Sequence, residues 1–324
     1  MKVTSKMIHP QLRKTGRILK VFARMDSEEK IRTMNRYSKL YFNCMRFKGM
    51  RSRKVSVLRK DNSELLTYIL TPRRKMKDVK VPGILWLHGG GYALGSAKMV
   101  NMGFPKRLIR RHNCVIVAPE YRLSCERPYP AALEDAYAAL KYMKEHAEEL
   151  GIDSARIMVG GESAGGGLAA ALCLYARDKR EVRIAYQILL YPMLDDRGDS
   201  DSMKDNDAPV WNEAANIAAW KLYLGDVDKH AVPAYAAAGR CADLQGLPPA
   251  VLIVGTIEPF HDETVAYMTR LWACGVRAEM REFKGCFHAF DMFCPRSSVA
   301  KNATAYLLEK YSFAEKNYRT EQFF

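Results

Sequence analysis

Gly161-Glu162-Ser163-Ala164-Gly165 constrains this chain more than any other stretch. A short apolar run, Arg156-Ile157-Met158-Val159-Gly160, precedes it, and Gly166-Gly167-Leu168-Ala169-Ala170-Ala171-Leu172 follows it. The first reads as a strand and the second as the start of a helix. The serine between them then sits on a tight strand-to-helix turn, strained and exposed, with its hydroxyl aimed into a cleft. The flanking glycines allow the turn and let the backbone run close to its neighbours. The helix behind the serine points its positive end at any developing anion. Taken alone, the same pattern also describes a glycine-rich connection in many α/β folds, so its meaning rests on the rest of the chain.

That rest alternates. Strands are expected at 54–59, 65–70, 84–88, 115–120, 156–159 and 185–191, and helices at 130–150 and 164–177. The order gives a mostly parallel central sheet with helices on both faces, after an initial hairpin-like pair. A polar break, Asp195-Asp196-Arg197-Gly198-Asp199-Ser200-Asp201, interrupts the alternation. A helix at 211–224 and a loop to about 246 follow, and then the α/β pattern resumes with a strand at 250–255, a helix at 263–274, a strand at 277–283 and a last helix at 298–316. The expected organisation is an N-terminal helical cap segment (1–48), a first part of an α/β core (49–195), a mid-chain cap segment (196–245) and a second part of the core (246–324). A length of 324 residues suits one large α/β domain with such additions.

Charge is concentrated at one end. Residues 1–60 hold 18 Lys/Arg and 3 Asp/Glu, whereas the remaining residues balance 33 basic against 33 acidic. The excess reads as the solvated faces of amphipathic helices, with Ile18, Val21, Phe22 and Met25 on one apolar face and Met34, Tyr37, Tyr41 and Met45 on another. No aromatic-rich RNA motif or zinc finger accompanies it, so no nucleic-acid partner is expected. No run of about 18 apolar residues is present, and the N-terminus has no continuous apolar stretch of a secretory signal. The eight cysteines form no C-x-x-C pair and read as buried thiols of a reducing, cytoplasmic compartment.

The next informative motif is His88-Gly89-Gly90-Gly91, which closes the apolar run Ile84-Leu85-Trp86-Leu87. Successive glycines let backbone N–H groups converge on one point, and such a nest stabilises an oxyanion. Together with the serine turn, this makes a strong joint signal. Here the chain resembles the hormone-sensitive-lipase-like family of α/β-hydrolase esterases over roughly residues 80–295. The resemblance rests on His88-Gly89-Gly90-Gly91-Tyr92, Tyr121-Arg122-Leu123 with Pro130-Ala131-Ala132-Leu133-Glu134-Asp135, Gly161 to Gly166, Tyr191-Pro192-Met193-Leu194-Asp195, and Gly285-Cys286-Phe287-His288-Ala289-Phe290. It implies the α/β-hydrolase fold with a helical cap, hydrolysis of short- to medium-chain carboxylic esters (acetyl esters among them), and a small-molecule ester substrate. It implies neither cofactor nor metal, and it makes a homodimer through an edge strand a natural assembly.

A serine nucleophile needs a base, and the base needs an orienting acid, in the chain order Ser, acid, His. Of the histidines after Ser163, His288 lies in a loop after the strand at 277–283, at the sheet end where the base belongs; His230 and His261 are placed less well. The acid is expected at Glu258, just past the strand at 250–255, where the family usually carries aspartate. Asp262 is the competitor and a possible supporting acid. The resemblance assigns the oxyanion hole to the N–H groups of Gly89, Gly90 and Ala164. Glu162 and Glu120 stand where the family often has aspartate and read as loop supports. Tyr92 and Trp211 are candidates for the substrate pocket, with Trp211 and Trp220 on the cap helix. A binding protein that has lost catalysis, and a lipase working at an interface through the basic N-terminus, are the competing readings.

Overall fold

The computed structural model describes residues 1–22, 25–74 and 79–322. In chain order the helices and strands are α1 (Arg13–Phe22), α2 (Glu28–Cys44), β1 (Met50–Leu58), β2 (Glu64–Pro72), β3 (Val81–Leu87), α3 (Phe104–Arg111), β4 (Val115–Pro119), α4 (Ala131–Glu145), α5 (Ala147–Leu150), β5 (Ile152–Glu162), α6 (Ala164–Lys179), β6 (Tyr186–Leu190), α7 (Glu213–Leu224), β7 (Ala250–Gly255), α8 (His261–Ala273), β8 (Ala278–Phe283), α9 (Phe290–Phe293) and α10 (Ser298–Asn317).

The eight strands form one sheet in the order β1-β2-β4-β3-β5-β6-β7-β8. β1 and β2 are antiparallel, as is β2 against β4, and every later pairing is parallel. The expected hairpin followed by a parallel sheet is therefore what forms. β3, β4, β6 and β7 are buried along their whole lengths. They read as continuous apolar runs because helices cover both sheet faces. Alternation along each strand divides the core. Leu85, Leu87, Val117, Val159 and Leu189 pack with α4, α6 and α8 on one face, while Ile84, Trp86, Ile116, Met158 and Ile188 pack with α3 and α10 on the other.

Several boundaries differ from expectation for local reasons. The helix expected over 130–150 breaks at His146, whose φ of −105° and ψ of 19° are not helical. β5 begins four residues before the expected 156 because Val81 pairs with Ile152 across a bulge. α3 was not anticipated: its Arg and Lys residues hide a buried stripe of Phe104, Leu108 and Ile109. Trp211 precedes α7 and does not lie on it; α7 starts only after the Asn212 side chain accepts from Ala215 N–H.

The segments outside the sheet converge above its carboxyl end. α2 lies on α7, joined by a Glu28–Lys221 ion pair at 2.7 Å. Asn35 Nδ2 donates to Ala93 O at 2.5 Å, directly behind the glycine loop. The first residues are tied to the mid-chain segment by Val3 N–H to Asp207 Oδ1 at 2.6 Å and Lys20 to Asp207 at 2.9 Å. The expected apolar faces of these helices are corrected. α2 buries Ile31, Asn35 and Phe42, which share one face, and leaves Met34, Tyr37, Leu40 and Tyr41 exposed. α1 ends at Phe22, so Met25 is not part of it, and Ile18 and Val21 face outward. The side chain of Phe22 lies outside the described residues.

Two glycines separate close packing from backbone strain. A Cβ on Gly165 would lie 2.1 Å from Leu87 O, whereas one on Gly275 meets nothing within 4 Å but carries a φ of +72°. Gly165→Ala is expected to cost more than about 3 kcal/mol because backbone must move. Gly275→Ala is expected to cost about 1 kcal/mol, the left-handed penalty alone. Urea unfolding midpoints of the two variants check this ordering.

Candidate active site

Ser163 occupies the junction between β5 and α6 with φ 59° and ψ −125°, a strained conformation for a residue with a side chain. The strain is held by its backbone: Ser163 N–H donates to Leu190 O at 2.9 Å, and Ser163 O accepts from the N–H groups of Gly167 and Met193, both at 3.0 Å. Its hydroxyl is thereby fixed at the sheet end. α6 behind it is buried on nearly every side, as its Ala- and Gly-rich composition allows.

Three side chains meet there. Ser163 Oγ lies 2.8 Å from His288 Nε2, and His288 Nδ1 lies 2.5 Å from Glu258 Oε2. The second carboxylate oxygen, Glu258 Oε1, accepts from Gly255 N–H at 2.6 Å, so the strand that precedes the glutamate also orients it. All three residues are buried. Tyr191 and Phe260 present ring edges to the imidazole at centroid distances of 4.8 and 5.0 Å, and Trp211 lies 6.4 Å away. In this apolar cage, among the described residues, the one carboxylate hydrogen-bonded to the imidazole is Glu258. The arrangement can carry a proton from Ser163 to His288 while Glu258 holds the imidazole in one tautomer.

Asp262 is not brought to His288. Its Oδ2 accepts from Ser202 N–H at 2.7 Å, and its Oδ1 faces His261 Nδ1 at 2.8 Å. His261 Nε2 in turn reaches Glu282 at 2.7 Å. Burial works against the charged imidazole of His261, but the bonds to Glu282 and Asp262 outweigh it and raise its pKa. This cluster fastens the 200–203 turn to the loop that carries Glu258, and Ser202 Oγ adds a bond to Pro259 O at 2.9 Å.

The glycine loop is held from below by Glu162. Its Oε2 accepts from Trp86 Nε1 at 2.6 Å and its Oε1 from Gly89 N–H at 3.2 Å. Gly89 N–H is thus already engaged, a departure from the expectation that it faces an oxyanion. Among the described residues, Gly90 and Gly91 N–H donate to no protein acceptor, and Ala164 N–H belongs to the free first turn of α6. Gly90 and Gly91 have φ of +120° and +58°, and a Cβ on Gly91 would lie 2.3 Å from the Trp211 ring. The Trp211 ring therefore packs directly against the glycine loop. Tyr92 instead stacks on Tyr223 at 3.8 Å within the layer of cap side chains. Glu120 accepts from Ser96 Oγ at 2.6 Å and Ala97 N–H at 3.2 Å, anchoring the turn after the loop.

Sequence reasoning did not reach Asp291. It is buried, accepts from Tyr191 OH at 2.8 Å, and burial raises its pKa despite that bond. Its place three residues after His288 was the available signal. Among the described residues no group of three His, Cys, Asp or Glu side chains is arranged to hold a metal. The eight cysteines are all unpaired, and Cys114, Cys173 and Cys286 are the buried ones, fewer than the apolar runs suggested. A groove of about 920 Å³ bordered by residues 56–61, Arg122, Tyr137 and Lys141 contains none of the three meeting side chains.

Burial, and then the like charge of Asp291, push the Glu162 carboxyl up to about 8, against the bonds from Gly89 N–H and Trp86. The sign follows from proton counting. Between the unfolded value near 4.5 and about 8, the native state holds a proton that the unfolded chain has lost, so stability falls as pH rises through this window. The loss amounts to a few kcal/mol at about 1.4 kcal/mol per pH unit. Urea midpoints at pH 5, 6.5 and 8 are expected to decline in the wild type and to lack this component in Glu162→Gln.

Known proteins share this geometry's sequence context. Residues 84–292 match a family model described as alpha/beta hydrolase fold. The esterase LipI of Mycobacterium tuberculosis is 34% identical over 239 residues, which cover 74% of this chain and 74% of that protein. The carboxylesterase NlhH of the same organism is 33% identical over 231 residues, covering 69% of this chain and 71% of that one. Among solved structures, a bacterial heroin esterase superposes with a TM-score of 0.88 at 35% identity, over 97% of this chain and 99% of that one.

Proposed function

The chain belongs to the hormone-sensitive-lipase-like family of α/β-hydrolase esterases, and we propose that it hydrolyses short- to medium-chain carboxylic esters with Ser163 as nucleophile. The observation that carries this reading is the unbroken line from Ser163 Oγ through His288 to Glu258, at 2.8 and 2.5 Å. His288 Nε2 takes the Ser163 proton as Oγ attacks the ester carbonyl. The carbonyl oxygen, now negative, is received by the N–H groups of Gly90, Gly91 and Ala164, each worth about 3 kcal/mol in reactions of this kind. His288 returns the proton to the leaving alkoxide and an acyl-enzyme remains. Water attacks the acyl carbon with His288 as base again, and the acid leaves. Glu258 holds the tautomer and offsets the imidazolium charge.

Gly89 acts one step back in this scheme: its N–H, bound to Glu162, sets the height of the loop that presents Gly90 and Gly91. The cap consists of residues 1–48 and 196–245, and Trp211 sets the depth of the acyl pocket by closing over Gly91. A ring this close to the loop favours short acyl chains. No helix among the described residues is long and apolar enough to cross a membrane. The eight unpaired cysteines fit a reducing, cytoplasmic setting. β8, at one end of the sheet, offers the edge for a homodimer.

Ser163→Ala is expected to lower kcat on p-nitrophenyl acetate at least about 1,000-fold without changing the unfolding midpoint. Glu258→Gln is expected to lower it about 100-fold or more through loss of the correct tautomer, and Asp262→Asn by less than about threefold. Retained turnover in Ser163→Ala overturns the mechanism. Trp211→Ala is expected to move the optimum in a p-nitrophenyl ester series toward longer acyl chains, read as the ratio of kcat/KM for octanoate to that for acetate.

A further inference from the structure

The basic N-terminal helices bury the wrong residues for simple solvated faces. On α2, Tyr37, Leu40 and Tyr41 are 66%, 66% and 60% exposed, and Met34 joins them one turn away. Met34, Tyr37 and Tyr41 are spaced i, i+3 and i+7 and form one outward stripe. Arg36 lies one turn before Leu40, and Arg32 one turn before Arg36, along the flank of that stripe. α1 repeats the design: Lys14, Arg17, Ile18 and Val21 share its outer face, with Val21 63% exposed. Solvent does not reward six large apolar side chains displayed on two helices.

The charge around them is largely uncompensated. Among the described residues, Arg17 bonds the neutral Ser5 hydroxyl, at 2.8 Å, and Arg32 bonds Cys125 O. Lys14 and Arg36 have no acidic partner among the described residues. Lys39 is paired with Glu126, Lys30 with Asp26, and Lys20 with Asp207. The acids of the segment are confined to Asp26, Glu28 and Glu29 at the start of α2, away from the stripe, and Glu28 is taken by Lys221. The net charge of the whole chain, +15, is accounted for by its first sixty residues.

We propose that the outer faces of α1 and α2 dock on an anionic lipid surface. Exposed aromatic and aliphatic side chains enter the interface while flanking Lys and Arg meet headgroup phosphates, and neither contribution alone anchors a protein firmly. The stripe carries Tyr, Leu, Ile, Val and Met and no Trp, so the attachment is weak and reversible and depends on the charge. An acidic protein would match the charge, but exposed apolar residues on two separate helices suit an extended, deformable surface better. The location gives the contact a use. The inner face of α2 bonds Ala93, just past the glycine loop, through Asn35, and Gly16 of α1 packs on Phe287 next to His288. Docking therefore holds the cleft against the bilayer, where apolar esters concentrate.

The test is flotation of the full chain with large unilamellar vesicles, either pure phosphatidylcholine or phosphatidylcholine with about 30 mol % phosphatidylglycerol. At least about tenfold more protein is expected with the anionic vesicles, and most of that excess is expected to vanish at about 0.5 M NaCl. Val21→Ser/Tyr37→Ser/Leu40→Ser/Tyr41→Ser and Lys14→Glu/Arg36→Glu are each expected to abolish the excess while hydrolysing soluble p-nitrophenyl acetate at the wild-type rate, which separates loss of docking from loss of fold. Equal flotation with both vesicles overturns the proposal, as does binding that the apolar variant retains. So does a concentration-dependent dimer in sedimentation velocity, abolished by the apolar variant without any vesicle binding, which would make a second copy the occupant. A defect in ester hydrolysis alone bears on Ser163 and leaves this result standing.

Discussion

The site depends on how closely two pieces of backbone pass at the end of the sheet. Gly165, in the first turn of α6, lies so near Leu87 and His88 that a Cβ would fall 2.1 Å from Leu87 O and 2.4 Å from His88 O. This contact sets the distance between the serine turn on β5 and the glycine loop after β3, the adjacent strand. The two must be that close for N–H groups of the loop and of α6 to serve one oxygen atom. A tight turn could exist elsewhere in an α/β fold. What gives this one its meaning is that its helix begins against the end of the neighbouring strand.

Glu162 is the electrostatic counterpart of that contact. One oxygen reaches down to Trp86 on β3 and the other up to Gly89 at the start of the loop. The carboxyl is adjacent in sequence to the serine, so it ties loop to turn across a single residue. Burying it is costly, as its upward shift in pKa records, and the two donors offset only part of that cost. The molecule tolerates a destabilising group where it fixes geometry, a common property of sites that must be pre-organised.

How much was legible in the sequence follows from the range of each interaction. The antiparallel start and parallel body of the sheet, the serine turn, and the meeting of Glu258 with His288 were readable because each rests on local pattern plus the chain order expected of such a fold. The direction of Gly89 N–H was not, because it depends on a carboxylate 73 residues away. The faces of α1 and α2 were misread for a related reason. Periodicity reveals that Met34, Tyr37 and Tyr41 share a face, but not whether anything covers it; α2 packs against α7 and bonds Ala93, and it buries Ile31, Asn35 and Phe42 instead. Asp291 escaped notice because an acid beside an aromatic run has no local signature when its partner is Tyr191, 100 residues distant.

The use of glutamate at position 258 also has a physical account. The longer side chain needs a second restraint, and it has one: Gly255 N–H holds Oε1 while Oε2 meets His288. The carboxylate thus bonds back onto its own strand, which takes up the extra methylene. Asp262 is then free for another task. Bound to Ser202 N–H and His261, it fastens the mid-chain turn to the loop that carries Glu258. The two carboxylates four residues apart divide the work, one bonding His288 and one fixing the segment that leads to Trp211. The surroundings of His288 and the turn that leads to Trp211 are therefore fixed through a single loop.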